Sequence, residues 1–165
     1  MKKKIYAIKE KAQKKEKENQ EFRIFLKGYN HHQVDKMVHK LYQKYLSRYD
    51  CTKCGNCCKL NASLTQKEVE KIAKYLNISY KKMIKKYIER KITEGFLLKG
   101  PKCPFLYENK CSIYKYRPEV CRSYPHLHKD NINHRLISIF DNLYICPIVY
   151  SIIEELKEKI WTKNI

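Results

Sequence analysis

Glycine is scarce in this chain, with four in 165 residues, and none lies in a G-x-G-x-x-G or G-x-x-x-x-G-K-[ST] string. That excludes a Rossmann or P-loop nucleotide site, since both need glycine backbone against phosphate. Long apolar runs are lacking too. Nothing approaches the roughly 20 residues that span a bilayer, and the stretch Ile5–Ile8 is cut off by Lys9. These features predict no signal peptide, no membrane segment and a cytoplasmic location. Acidic residues are few, 17 against 36 Lys and Arg, and no carboxylate pair suited to acid–base chemistry stands out. Cysteine is missing from the first 50 residues and from the last 19.

The remaining composition fits one small domain. At 20.0 kDa, with 43% hydrophobic residues, the chain is long enough for a real core and short for two ordinary domains. Its net charge is +19, but only six of the 36 basic residues are Arg. Such a surface attracts polyanions, yet Lys lacks the planar fork that reads phosphates and bases bidentately. The expected partner on charge alone is nucleic acid bound weakly, without sequence preference and with steep salt dependence.

The cysteines carry most of the information. Eight fall at Cys51, Cys54, Cys57, Cys58, Cys103, Cys111, Cys121 and Cys146. In a reducing compartment this count points to metal before disulfides. A C-x2-C turn lets two thiolates converge on one ion, and Gly55 gives the backbone freedom between Cys54 and Cys57. Adjacent Cys57 and Cys58 point to opposite sides if the backbone there is extended, which predicts that they serve different centres. Cys51, Cys54 and Cys57 reproduce a ferredoxin-type C-x2-C-x2-C run, in which a Cys-Pro supplies the fourth ligand; Cys103-Pro104 and Cys146-Pro147 are such pairs. This favours an iron–sulfur cluster of the [4Fe–4S] kind, while four-cysteine zinc sites accept nearly the same spacing.

Beyond the leading C-x2-C-x2-CC the chain reads Cys103-Pro-Phe-Leu106, Asn109-Lys-Cys111-Ser-Ile-Tyr114, then Arg117-Pro118-Glu-Val-Cys121-Arg122-Ser-Tyr124-Pro125, and finally Cys146. With the cluster, this pattern resembles the CxxCxxCC family of zinc- or iron-chelating domains over roughly residues 51–150. The flagellin lysine N-methylases look similar in the same cluster. The resemblance implies a cysteine-held metal or iron–sulfur centre with all eight cysteines as ligands, and it implies no one reaction. Arg117 and Arg122 flank Cys121 and are candidates for bonding or neutralising the sulfurs of such a centre; the alternatives are a substrate clamp, or an ion pair with Glu119 and carbonyl capping. His126 and His128 form an H-x-H pair that is unnecessary as ligands beside eight thiols.

Three function classes follow. The first is a metal-binding protein of unassigned physiological role. The second is a protein-modifying enzyme related to the flagellin methylases. The third is a basic zinc module on nucleic acid. The fold class expected is mostly α with a few short strands, organised around cysteine-held metal. The expected organisation is a basic helical extension (1–50), the chelating domain (51–150) and the rest of a C-terminal helix (151–165).

Local patterns predict individual elements. Residues 1–27 read as a solvated or partly disordered helix. Val34 to Tyr49 show helical spacing behind an Asn30 cap, Thr65-x-x-Glu68 is a capping box, Ser79 caps another helix, and Asn77 suits a helix end. Thr93–Leu98 reads as a strand, and Phe105–Leu106 with Ile113–Tyr114 as a hairpin around Glu108-Asn109. Pro118 starts a helical turn holding Cys121, Pro147 opens the last helix, and Leu136–Phe140 reads as a strand.

Overall fold

The computed structural model describes residues 2–91 and 95–161, with side chains from Ile8 onward. Its helices are α1 (Lys2–Lys14), α2 (Glu16–Gly28), α3 (His31–Leu46), α4 (Cys51–Cys54), α5 (Gln66–Tyr75), α6 (Tyr80–Tyr87), α7 (Glu119–Ser123), α8 (Leu136–Asp141) and α9 (Pro147–Leu156). Its strands are β1 (Ser63–Leu64), β2 (Ile88–Lys91), β3 (Gly95–Leu98), β4 (Leu106–Tyr107) and β5 (Lys110–Cys111). The protein is mostly helical with short strands, as its composition and periodicity predict. It divides into two compact units, residues 1–50 with 125–165, and residues 51–124. Among the described residues no single helix is long and apolar enough to cross a membrane.

The first unit is helical. α2 buries Asn19, Phe22 and Leu26, one stripe at helical spacing, and Phe22 meets Phe140 and Trp161 at ring-centroid distances of 6.3 and 5.5 Å. The N-terminal segment is therefore neither a detached solvated helix nor disordered from α2 onward. Sparse apolar positions suffice because α8 and α9 supply the rest of the core: Leu136, Ile139, Phe140, Ile148, Ile152 and Leu156 are all buried. Leu136–Phe140 is helix, not strand. Its buried residues at 136, 139, 140 and 143 follow a period of 3.6, which a local run of branched residues concealed. In α3 the Asn30 side chain accepts from Gln33 N, while Tyr45 Oη donates to Glu155 and Tyr49 Oη bonds Ser151. Lys157, only 3% exposed, donates to Glu18, Asn19 and Glu154 at 2.5–2.8 Å. A buried ammonium is tolerated only with such partners.

The second unit packs α5 and α6 on a three-stranded antiparallel sheet ordered β1-β3-β2. Thr65 and Glu68 form the predicted capping box, Ser79 caps α6, and Asn77 takes a left-handed φ of 53° beyond α5. Val69, Ile72, Met83, Ile88 and Leu98 fill the core. Of the predicted Thr93–Leu98 strand, Gly95–Leu98 is strand, and residues 93–94 lie outside the described residues. The predicted hairpin forms closer to its turn, pairing Leu106 with Cys111 and Tyr107 with Lys110. Glu108 and Asn109 both take positive φ, 46° and 63°, which makes a two-residue turn that pairs the very next residues. Phe105 and Ile113 instead enter the core.

Candidate metal centre

Cys51 and Cys54 sit three residues apart on the single turn α4, so both face one side of it. Gly55 ends the turn at φ +60°, and Gly55 N donates to Cys51 O at 3.4 Å. A Cβ at Gly55 would meet the Asn109 carbonyl oxygen at 3.0 Å, so the absence of a side chain lets the cysteine turn approach the β4–β5 hairpin. The next residues, Cys57–Lys59, form a 3-10 turn. Cys57 and Cys58 are thus not in extended backbone, and their thiols do not diverge. The Cys57 thiol hydrogen-bonds Cys58 and draws its pKa, against the effect of burial, from 9.0 to about 7.

Three further segments bring thiols to Cys58. Cys103 N donates to Cys58 O at 2.9 Å; Cys111 lies on β5, and α7 carries Cys121 behind Pro118. Burial pushes the Cys103 thiol up to about 11, opposed by backbone bonds at Phe105 and Leu106, with Cys58 and Cys111 adding to the rise. Burial likewise raises Cys111, and Cys58 adds to it. Burial drives Cys121 to about 12, helped by Cys103, Cys58 and Cys111 and opposed by Arg117. Cys103, Cys111 and Cys121 resist ionisation through burial, with the neighbouring thiols adding to the rise, whereas Cys58 ionises more readily. A cation among them reverses that penalty, which is how thiolate sites couple metal binding to proton release.

The arginines differ in role. Arg117 lies with its guanidinium 3.8 Å from the Tyr114 ring centroid, donates to Tyr114 O at 2.7 Å, and its charge favours the Cys111 and Cys121 thiolates. Arg122 donates to Arg117 O at 3.0 Å and lies 3.7 Å from Glu119, which is the carbonyl-capping and ion-pair arrangement. His126, His128 and Cys146 belong to the other unit; there Cys146 precedes α9 and is 7% exposed.

One positioning residue escaped the sequence reading. Glu68 accepts from Thr65 N at 2.8 Å and, with its other oxygen, from Glu119 N at 2.7 Å. It ties the start of α5 to the helix that carries Cys121. The capping box marks Glu68 in sequence; the second bond is a long-range contact with no local signal.

Among the described residues no three His, Cys, Asp or Glu side chains are set to hold a metal ion as they stand. The donor chemistry fits zinc or iron, since seven thiols share one small unit and four of them act on one another. Ligation therefore entails a change from this side-chain arrangement.

A family model for CxxCxxCC, described as "Putative zinc- or iron-chelating domain", matches residues 50–139. The chain belongs to this family. The match takes in seven of the eight cysteines; Cys146 lies beyond it. The CxxCxxCC chain is also similar to the uncharacterized protein MJ0661 of Methanocaldococcus jannaschii, 42% identical over 84 residues, or 47% of this chain and 44% of that protein. It thus spans less than half the length of that curated relative. No solved structure matches it. Membership supports metal chelation and assigns no reaction.

Proposed function

We propose that residues 51–124 hold zinc or an iron–sulfur cluster on cysteine thiolates, in a reducing, cytoplasmic setting that keeps the thiols free for metal. The observation that carries this reading is the meeting of Cys58, Cys103, Cys111 and Cys121, contributed by four separate segments and electrostatically coupled. They form one candidate ligand set. Cys51, Cys54 and Cys57, in ferredoxin-like spacing, form the nucleus of a second. Arg117 offsets the negative charge beside the first set, and Glu68 orients the helix of Cys121. Cys146, which lies in the other unit, enters the ligand list from the sequence, by its Cys-Pro pair and by the family resemblance. The metal, when bound, would supply a positive centre that removes thiolate repulsion; the chain's own residues gather the donors.

The test is elemental analysis and visible absorbance of protein purified without oxygen, followed by chelation. Zinc or iron is expected in whole equivalents. Removal is expected to lower the thermal midpoint of residues 51–124 sharply, because structural sites contribute on the order of 10 kcal/mol to folding. Eight freely titrating thiols together with an unchanged thermal midpoint after chelator treatment would overturn the reading.

A further inference from the structure

A groove of about 340 Å³ lies on the first unit, between α2 and the segment running from Asn133 into α8. Its walls carry Ile24 and Ile137, each 68% exposed, above Leu136. Both isoleucines project away from the core-facing residues of their helices, Phe22 and Leu26 or Leu136 and Ile139, which are buried. The same walls carry Arg23, Lys27 and His134, whose side chains have no hydrogen-bond or ion-pair partner among the described residues. No acidic residue lines the groove. The groove is also preformed. Asn133 Nδ2 donates to the Leu26 and Tyr29 carbonyls at 2.7 and 3.0 Å, fixing its floor to the end of α2.

We propose that this groove docks an acidic amphipathic helix of a partner protein. Apolar residues on one face of that helix would cover Ile24, Leu136 and Ile137, and flanking Asp or Glu would meet Arg23, Lys27 and His134. This is helix-in-groove recognition with charges at the rim. Two other occupants fit less well. A second copy of this chain brings +19 of its own charge to a cationic surface. A small ligand would be left largely in water between two exposed isoleucines, whereas small-molecule sites bury about 70–90% of their ligand.

The probe is a synthetic helical peptide of Leu and Glu with Leu at i, i+4 and i+7, measured by fluorescence anisotropy on the full chain at physiological salt. The controls are a peptide of the same composition with Leu scattered around the helix, and one with Lys for Glu. The ordered acidic peptide is expected to bind about tenfold or more tighter than either control. Ile137→Ser and Lys27→Glu are each expected to weaken it by about fivefold or more, with thermal midpoint and metal content unchanged, because both side chains are exposed. Equal binding of ordered and scattered peptides would show bare charge attraction and overturn the proposal. So would indifference to both variants, displacement by equimolar decanoate, or self-association of the chain that Ile137→Ser abolishes.

Discussion

Gly55 shows how one residue positions this site. Its φ of +60° is costly for any residue with a side chain, and a Cβ would press on the Asn109 carbonyl at 3.0 Å. Gly55→Ala is expected to destabilise the protein by about 1–2 kcal/mol, read as a lower urea midpoint. An unchanged midpoint would mean that the turn and hairpin do not approach as described. Cys57 and Cys58 are adjacent and hydrogen-bonded, and Cys58 is coupled to Cys103, Cys111 and Cys121. Cys58→Ser is therefore expected to behave like Cys121→Ser in metal stoichiometry, and Cys57→Ser like Cys51→Ser. If all four variants lose one and the same metal equivalent, a single site replaces the two proposed sets.

At the scale of elements, Glu68 joins two helices with one carboxylate. Burial raises its pKa, but bonds from Thr65 N, Glu119 N and the Thr65 hydroxyl, with the charge of Arg122, outweigh that and hold it below its ordinary value. Glu68→Gln keeps the shape while weakening charge-assisted bonds at both helix starts. It is expected to cost about 1 kcal/mol of stability and to loosen metal held through Cys121. Chemical denaturation and a competition titration with a chelator measure the two effects. A loss of stability with unaltered metal affinity would confine Glu68 to capping. The β4–β5 hairpin makes a related point: its two positive-φ residues set which side chains pair, so Cys111 falls on a strand directly across from Leu106.

For the whole molecule, Cys103 and Cys121 set a pH limit opposite to that of the carboxylates. Cys103 and Cys121 are raised from 9.0 to about 11 and about 12, so the folded metal-free protein holds these protons more tightly than the unfolded chain. Their contribution to stability is present below pH 9.0 and is lost as pH rises through those values. Glu68, Glu154 and Glu155 are lowered from 4.5, so their contribution is present above pH 4.5 and is lost as pH falls. Thermal melts of metal-free protein are expected to decline on both sides of this window. Metal-loaded protein is expected to resist the alkaline decline, because ligated thiols have already lost their protons. The reverse order on the alkaline side would argue against ligation by Cys103 and Cys121.

Local chemistry determined much of this protein in advance. The helix caps at Asn30, Thr65 and Ser79, the helix start at Pro147, the helical majority and the cysteine spacing all rest on interactions within a few residues, so the sequence displays them. Tertiary structure alone decided what depends on distant partners. Leu136–Phe140 became helix because its buried side is completed by α2, where Phe22 meets Phe140. Residues 125–161 joined the N-terminal helices rather than the cysteine unit because their apolar faces pack there. Cys58 came among Cys103, Cys111 and Cys121 because a 3-10 turn at Cys57 and the Gly55–Asn109 approach redirect the chain. Spacing identifies donors, but only the path of the backbone between them selects which donors share a neighbourhood.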